Sequence, residues 1–133
     1  MSSEVYEFDG QVTGKDDIGP TPEGTRIDSY TQWTVKGPKL EGTMKGVDYI
    51  LARPDGVFVL DFWGQLTTKD GAKISVQLVG YSIPSPGKPS CIICTITYRT
   101  GHQKYQQLNT IVQVAEGTVD TAGKILLKAY DWK

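Results

Sequence analysis

GVDYILARPDGVFVLDFWG, Gly46 to Gly64, is the stretch on which the fold turns. Two apolar runs flank Arg53-Pro54-Asp55-Gly56. Pro and Asp suit the centre of a type I turn, and Gly56 sits where a left-handed residue closes a bulged hairpin. Each run also carries one carboxylate, Asp48 in the first and Asp61 in the second. The pairing register decides what those acids can do. If Pro54-Asp55-Gly56 is a three-residue loop, Arg53 pairs with Val57, Tyr49 with Asp61 and Asp48 with Phe62. One face then carries Val47, Tyr49, Leu51, Val59, Asp61 and Trp63, and the other carries Asp48, Ile50, Ala52, Phe58, Leu60, Phe62 and Leu66. With a two-residue loop Asp48 lies opposite Asp61, and two adjacent carboxylates drive one pKa upward.

The same signal recurs outward from this hairpin. Runs rich in Val, Ile, Thr, Tyr, Phe and Trp are broken at short intervals by Gly, Pro or Asp-Gly, the spacing of an all-β sandwich or barrel. Strands are expected near 4–12, 26–36, 39–45, 47–53, 57–67, 73–81, 90–99, 105–115 and 123–132. TKDGAK (68–73) and DTAGK (120–124) supply further turns. Consecutive hairpins make a meander of antiparallel neighbours. Two Pro- and Gly-rich segments, 13–24 and 83–90, are expected as long connections that either form a rim or lid or are simply solvated. No segment keeps a 3.6-residue apolar period, so no long helix is expected. About eight or nine sequential strands suit one closed antiparallel barrel over residues 1–133, a common container for one small ligand.

Composition excludes several function classes. Fourteen basic and fifteen acidic residues give a net charge of -1. They are scattered, so neither a nucleic-acid stripe nor a polybasic membrane face is indicated. The acidic start MSSEVYEFDG has no apolar leader core, and a soluble, cytoplasmic protein is expected. The two cysteines, Cys91 and Cys94, lie in a strand-like CIIC, where a spacing of three turns them to opposite faces. With His102 as the one histidine, no metal and no cofactor is implied. His102 itself sits in a turn-like TGHQK. A phosphate loop and a nucleophile elbow are both missing from the sequence.

The order GPKLEGT, GVDYILARPDG, LDFWGQLTTKDGAKI and then YQQLN resembles the small proteins catalogued as domain-of-unknown-function family 3237. The likeness runs from about Gly24 onward and is densest between Gly37 and Gly71. It implies a closed antiparallel barrel of the lipocalin or allene-oxide-cyclase kind, often oligomeric. It also extends to fungal barrels of secondary metabolism that guide cyclisations of polyketide and terpenoid hybrids, including hetero-Diels–Alder additions. This chain departs from the family pattern at Tyr49, where a tryptophan is usual, and at Trp63, where an arginine is common. The second departure implies a less polar ligand.

Asp48 and Asp61 are therefore the candidate catalytic acids, since a carboxyl in an apolar chamber is held near a useful general-acid pKa. Alternatively, the inward acid is an internal strut and the outward one is solvated. Tyr49, Phe62 and Trp63 are candidate substrate-binding walls. On the expected strand YQQLNTIVQ, Tyr105, Gln107 and Asn109 form a row suited to orienting a carbonyl or phenol. Two functions follow: a cofactor-free enzyme that cyclises, dehydrates or isomerises a hydrophobic small molecule, or a lipocalin-like carrier without chemistry. A third, a structural subunit in a homo-oligomer, places the aromatics at an interface.

Overall fold

The computed structural model describes residues 4–132. Among these, eight strands run β1 (Tyr6–Thr21), β2 (Gly24–Gly37), β3 (Leu40–Ala52), β4 (Phe58–Thr68), β5 (Lys73–Ser85), β6 (Lys88–Arg99), β7 (Gln113–Val119) and β8 (Lys124–Asp131). Each pairs antiparallel with the next, and β1 pairs with β8 to close the barrel. Alternation sorts the residues by face. Along β6, Ile92, Cys94, Ile96 and Tyr98 are buried while Cys91 and Ile93 are exposed.

The deciding hairpin adopts the three-residue register. The Arg53 N–H donates to the Val57 carbonyl at 2.9 Å and the Gly56 N–H to the Arg53 carbonyl at 3.0 Å. Gly56 takes φ 88°, the left-handed conformation the turn demands. Asp48 accordingly pairs with Phe62, not with Asp61.

Four expectations are corrected. The segments 39–45 and 47–53 are one strand, because Gly46 is a point of close approach and not a break: a Cβ there would lie 2.2 Å from the Trp63 carbonyl oxygen. Segments 13–24 and 83–90 are largely strand, drawn into two hairpin extensions that turn at Pro22-Glu23 and Pro86-Gly87. Their prolines are tolerated because β8 pairs with β1 only as far as Gln11, so Pro20 needs no donor on that edge. Pro84 falls at the register shift between Ile83 and Ser85. Finally, 105–115 is not a strand: a 3-10 helix, η1, spans Gln103–Thr110, and β7 begins at Gln113.

The helix caps one end of the barrel with the buried side chains of Tyr105 and Leu108. Asp70, in the β4–β5 turn, holds it there. The Tyr105 hydroxyl donates to Asp70 Oδ1 at 2.9 Å, Lys104 Nζ donates to Oδ2 at 2.8 Å, and the Thr68 hydroxyl also donates to Oδ1. These donors hold the Asp70 carboxyl well below the usual carboxylate range, Lys104 contributing most. Replacing Asp70 with Ala is expected to speed hydrogen exchange at the Tyr105 and Ile111 amides, whose bonds to the His102 and Leu108 carbonyls hold the two ends of η1, while exchange in the β3–β4 ladder stays unchanged. Deeper in the same end, the buried Tyr98 hydroxyl donates to Gln113 Oε1 at 2.6 Å, and Gln113 Nε2 donates to Asp131 Oδ1 at 3.0 Å. This end is therefore filled and tied.

Candidate functional site

The opposite end is open. A chamber of about 590 Å³ enters between the β3–β4, β5–β6 and β7–β8 turns, where Gly56, Pro84 and Asp120–Gly123 line its mouth. That volume lies in the range of small-molecule sites.

Its floor is aromatic. Phe62 and Trp33 meet edge to face with ring centroids 5.9 Å apart, and Phe8 supports Trp33 from below at 6.4 Å. Glycine makes the room: a Cβ on Gly10 would lie 2.5 Å from the Trp33 ring, and one on Gly64 would lie 2.5 Å from Phe62. The Trp33 indole N–H donates to Thr31 Oγ1 at 2.8 Å, so the ring has one fixed orientation. Walls of Ile50, Leu60, Ile92 and Leu127 complete an apolar enclosure.

One carboxyl stands inside it. Asp48 lines the chamber from β3, with Ser29 beside it as its β2 partner. The β3–β4 ladder lapses at Tyr49 and Ile50, opposite Leu60 and Asp61. Counting from the Arg53–Val57 bond, Tyr49 and Asp61 would be a hydrogen-bonded pair in a continuous ladder. Instead, the Asp61 N–H donates to Asp48 Oδ1 at 2.9 Å. The side chain has taken a backbone place, which fixes Oδ1 as an acceptor and leaves Oδ2 as the oxygen that carries the proton of the neutral acid. Burial pushes the Asp48 pKa up from 3.8 to about 7; the Asp61 N–H pulls the other way, and the Asp61 charge adds to the rise.

The remaining expected site residues lie elsewhere. Asp61 faces outward, where Gln77 Nε2 donates to its Oδ1 at 3.3 Å, so it supplies the chamber with its backbone N–H and not its carboxylate. Tyr49 and Trp63 stand on the outer wall, 41% and 49% exposed, because they share the parity of Asp61. The departure from arginine at position 63 therefore leaves the chamber's polarity untouched. Tyr105 is spent on Asp70, Gln107 is exposed on η1, and Asn109 brackets Thr100, accepting from its N–H at 2.8 Å and donating to its carbonyl at 2.9 Å. Of the expected set, only Asp48 and Phe62 share the chamber.

Sequence reasoning missed the hydroxyls. Ser29, Thr31 and Ser82 are buried at inward positions. The signal was present on β2, where Ile27, Ser29, Thr31 and Trp33 alternate with Asp28, Tyr30, Gln32 and Thr34, but neither set is plainly the apolar one. Among the described residues, no group of three or more His, Cys, Asp and Glu side chains is placed to hold a metal ion, and no helix is long and apolar enough to cross a membrane.

Residues 3–132 match the family model described as "Protein of unknown function (DUF3237)". A beta-barrel like protein from Acinetobacter baumannii is similar with a TM-score of 0.88 and 23% identity, covering 98% of this chain and 94% of its own. A conserved protein of unknown function from Rhodopseudomonas palustris gives a TM-score of 0.84 at 21% identity, with 96% and 94% covered. An enzyme from Penicillium herquei gives 0.64 at 19% identity, with 99% and 98% covered. At these identities the likeness is one of fold. Among curated proteins none matches this chain significantly.

Proposed function

The chain belongs to DUF3237, a family of proteins of unknown function, and from that premise we propose that its barrel is a cofactor-free enzyme that cyclises, dehydrates or isomerises a hydrophobic small molecule. The observation that carries this reading is Asp48: a carboxyl with its pKa raised to about 7, set in the lining of an aromatic-floored chamber. With Oδ1 held by the Asp61 N–H, the Oδ2 proton is directed at the ligand. Donated to a carbonyl or hydroxyl, it polarises an electrophile or assists departure of water, in surroundings where competing water is few. The chamber's second contribution is to hold a folded chain with its reacting atoms close, which lowers the entropic part of a cyclisation barrier. The use of this fold by an enzyme in Penicillium herquei supports the class of function, not the substrate.

A carrier with no chemistry is the second reading, favoured by the apolar lining itself. Incubating the protein with a small-molecule extract of its source and following the mixture by liquid chromatography and mass spectrometry separates the two. The enzyme predicts an isomeric or dehydrated product that accumulates beyond the protein concentration. Depletion of one compound that returns intact on denaturation establishes the carrier.

The outer aromatics give a control for the same assay. Trp63→Ala is expected to leave product formation within about twofold of the parent, because surface substitutions away from a site rarely transmit to it. A larger loss moves the site to the outer wall.

A further inference from the structure

The mouth of the chamber carries a charge pattern that its interior does not explain. Across the β1–β2–β3–β4 register, Lys15, Ser29, Asp48 and Phe62 form one row. Strands in such a barrel tilt by roughly 35–45° and lie about 4.8 Å apart, so the row climbs, and Lys15 stands about 6 Å nearer the mouth than Asp48. Lys15 faces inward only because of the register shift between Val12 and Gly14. Tyr6, Phe8 and Val12 put the even positions of β1 inside, and the extra residue turns the odd-numbered Lys15 to the same side. From the other extended hairpin, Lys88 enters the lining two residues beyond Ser90 on the inward parity of β6.

Opposing charge at the mouth is weak. Asp17 lies 3.6 Å from Lys15, but both side chains are more than 60% exposed, and such pairs are largely screened. Asp120 also lines the mouth; its Oδ1 accepts from the Ala122 and Lys124 backbone N–H groups, and among the described residues it forms no ion pair with either lysine. Asp16 accepts the Tyr30 hydroxyl on the outer side. Two ammonium groups thus line the mouth of an apolar well, and among the described residues Lys88 forms no ion pair.

We propose that the ligand of this chamber is an amphipathic acid, seated with its apolar chain on the Trp33–Phe62 floor and its carboxylate between Lys15 and Lys88 at the rim. This rests on the reading of the chamber as a ligand site. It adds a polarity to it: the anionic end stays at the mouth, and the reacting carbon chain passes Asp48. Such a ligand enters tail first, and its head group fixes which carbon faces the Oδ2 proton.

Cis-parinaric acid and its methyl ester test this, since they share one fluorescent polyene and differ in charge. Titrated at low salt, the acid is expected to bind about 5–10-fold more tightly than the ester. Lys15→Gln/Lys88→Gln is expected to bind the acid no better than the ester, and about 0.5 M sodium chloride is expected to erase the preference in the parent protein. Both lysines are exposed, and unchanged circular dichroism of the double variant confirms that its fold is intact. Equal binding of acid and ester by the parent, or a preference kept by the double variant, overturns the proposal while leaving the chamber a ligand site. If neither probe binds, or if Phe62→Ala and Leu60→Trp change the binding of neither, the chamber is not the site and both readings fall.

Discussion

Replacing Asp48 with Asn is expected to lower turnover by about 10²–10³ while making the protein more stable at neutral and alkaline pH. Asn is neutral and keeps a carbonyl oxygen for the Asp61 N–H, so the contact that replaces a ladder bond survives. What it lacks is a transferable proton. The stability change follows from linkage. The Asp48 carboxyl has its pKa raised from 3.8 to about 7 on folding, so between those values the folded state binds the extra proton. Stability from this group is therefore fully present below about pH 4 and is lost as pH rises through 7. A shift of about three units corresponds to roughly 4 kcal/mol lost across that window. The variant escapes the loss: its advantage is near zero at pH 3 and grows to about 3–4 kcal/mol by pH 8, read from urea titrations at each pH. In the parent protein the same ionisation removes the acid, so product formation should be level below pH 7 and fall about tenfold per unit above it. A variant that is inactive and destabilised at pH 8 would make Asp48 a strut.

Replacing Gln113 with Leu is expected to cost about 3–5 kcal/mol of stability. Gln113 is fully buried and stands between two buried groups, Tyr98 and Asp131. Its loss deprives the Tyr98 hydroxyl of its acceptor and Asp131 Oδ1 of its amide donor. Burial pushes the Tyr98 hydroxyl well above its usual pKa of 10, so it must remain a donor and cannot adapt by ionising. Combined with Tyr98→Phe, the double variant should be more stable than the sum of the single losses predicts, by about 1 kcal/mol or more, since one orphaned group has been removed. Additive losses would show that the Tyr98–Gln113 bond contributes nothing of its own. Turnover per folded molecule should be unchanged, because this chain of bonds lies at the closed end.

Asp48 and Gln113 are polar groups of opposite purpose, and the sequence distinguished them unevenly. Asp48 was legible because the three-residue turn fixes a parity, and parity separates Asp48 from Asp61 once the register is known. The same rule put Tyr49 and Trp63 on the outer wall, but which of two mixed faces turns inward depends on barrel closure, which no single hairpin encodes. Tyr105, Gln107 and Asn109 read as one strand face because Thr110, Ile111 and Val112 continue a β-rich run. The competing signal, Tyr105 and Leu108 three apart, is short, and a docked 3-10 helix owes its stability to the Asp70 anchor from a distant turn. Likewise, the inward turn of Lys15 depends on a bulge, and a bulge is invisible to a period of two. Local chemistry thus specified the turns and most strands, whereas facing and docking required the closed barrel.

Asp48 is a carboxyl in an apolar chamber that is about half protonated at neutral pH, where an ordinary aspartate is fully ionised. Carbon-13 NMR titration of carboxyl-labelled aspartate, with the Asp48 resonance assigned by its loss in Asp48→Asn, tests this directly. The expected midpoint is near pH 7, moved further up when an apolar ligand fills the chamber and removes the remaining water. A midpoint near 4, unaffected by ligand, would mean that Asp48 is an ordinary solvated carboxylate, and the chamber would hold no acid to give.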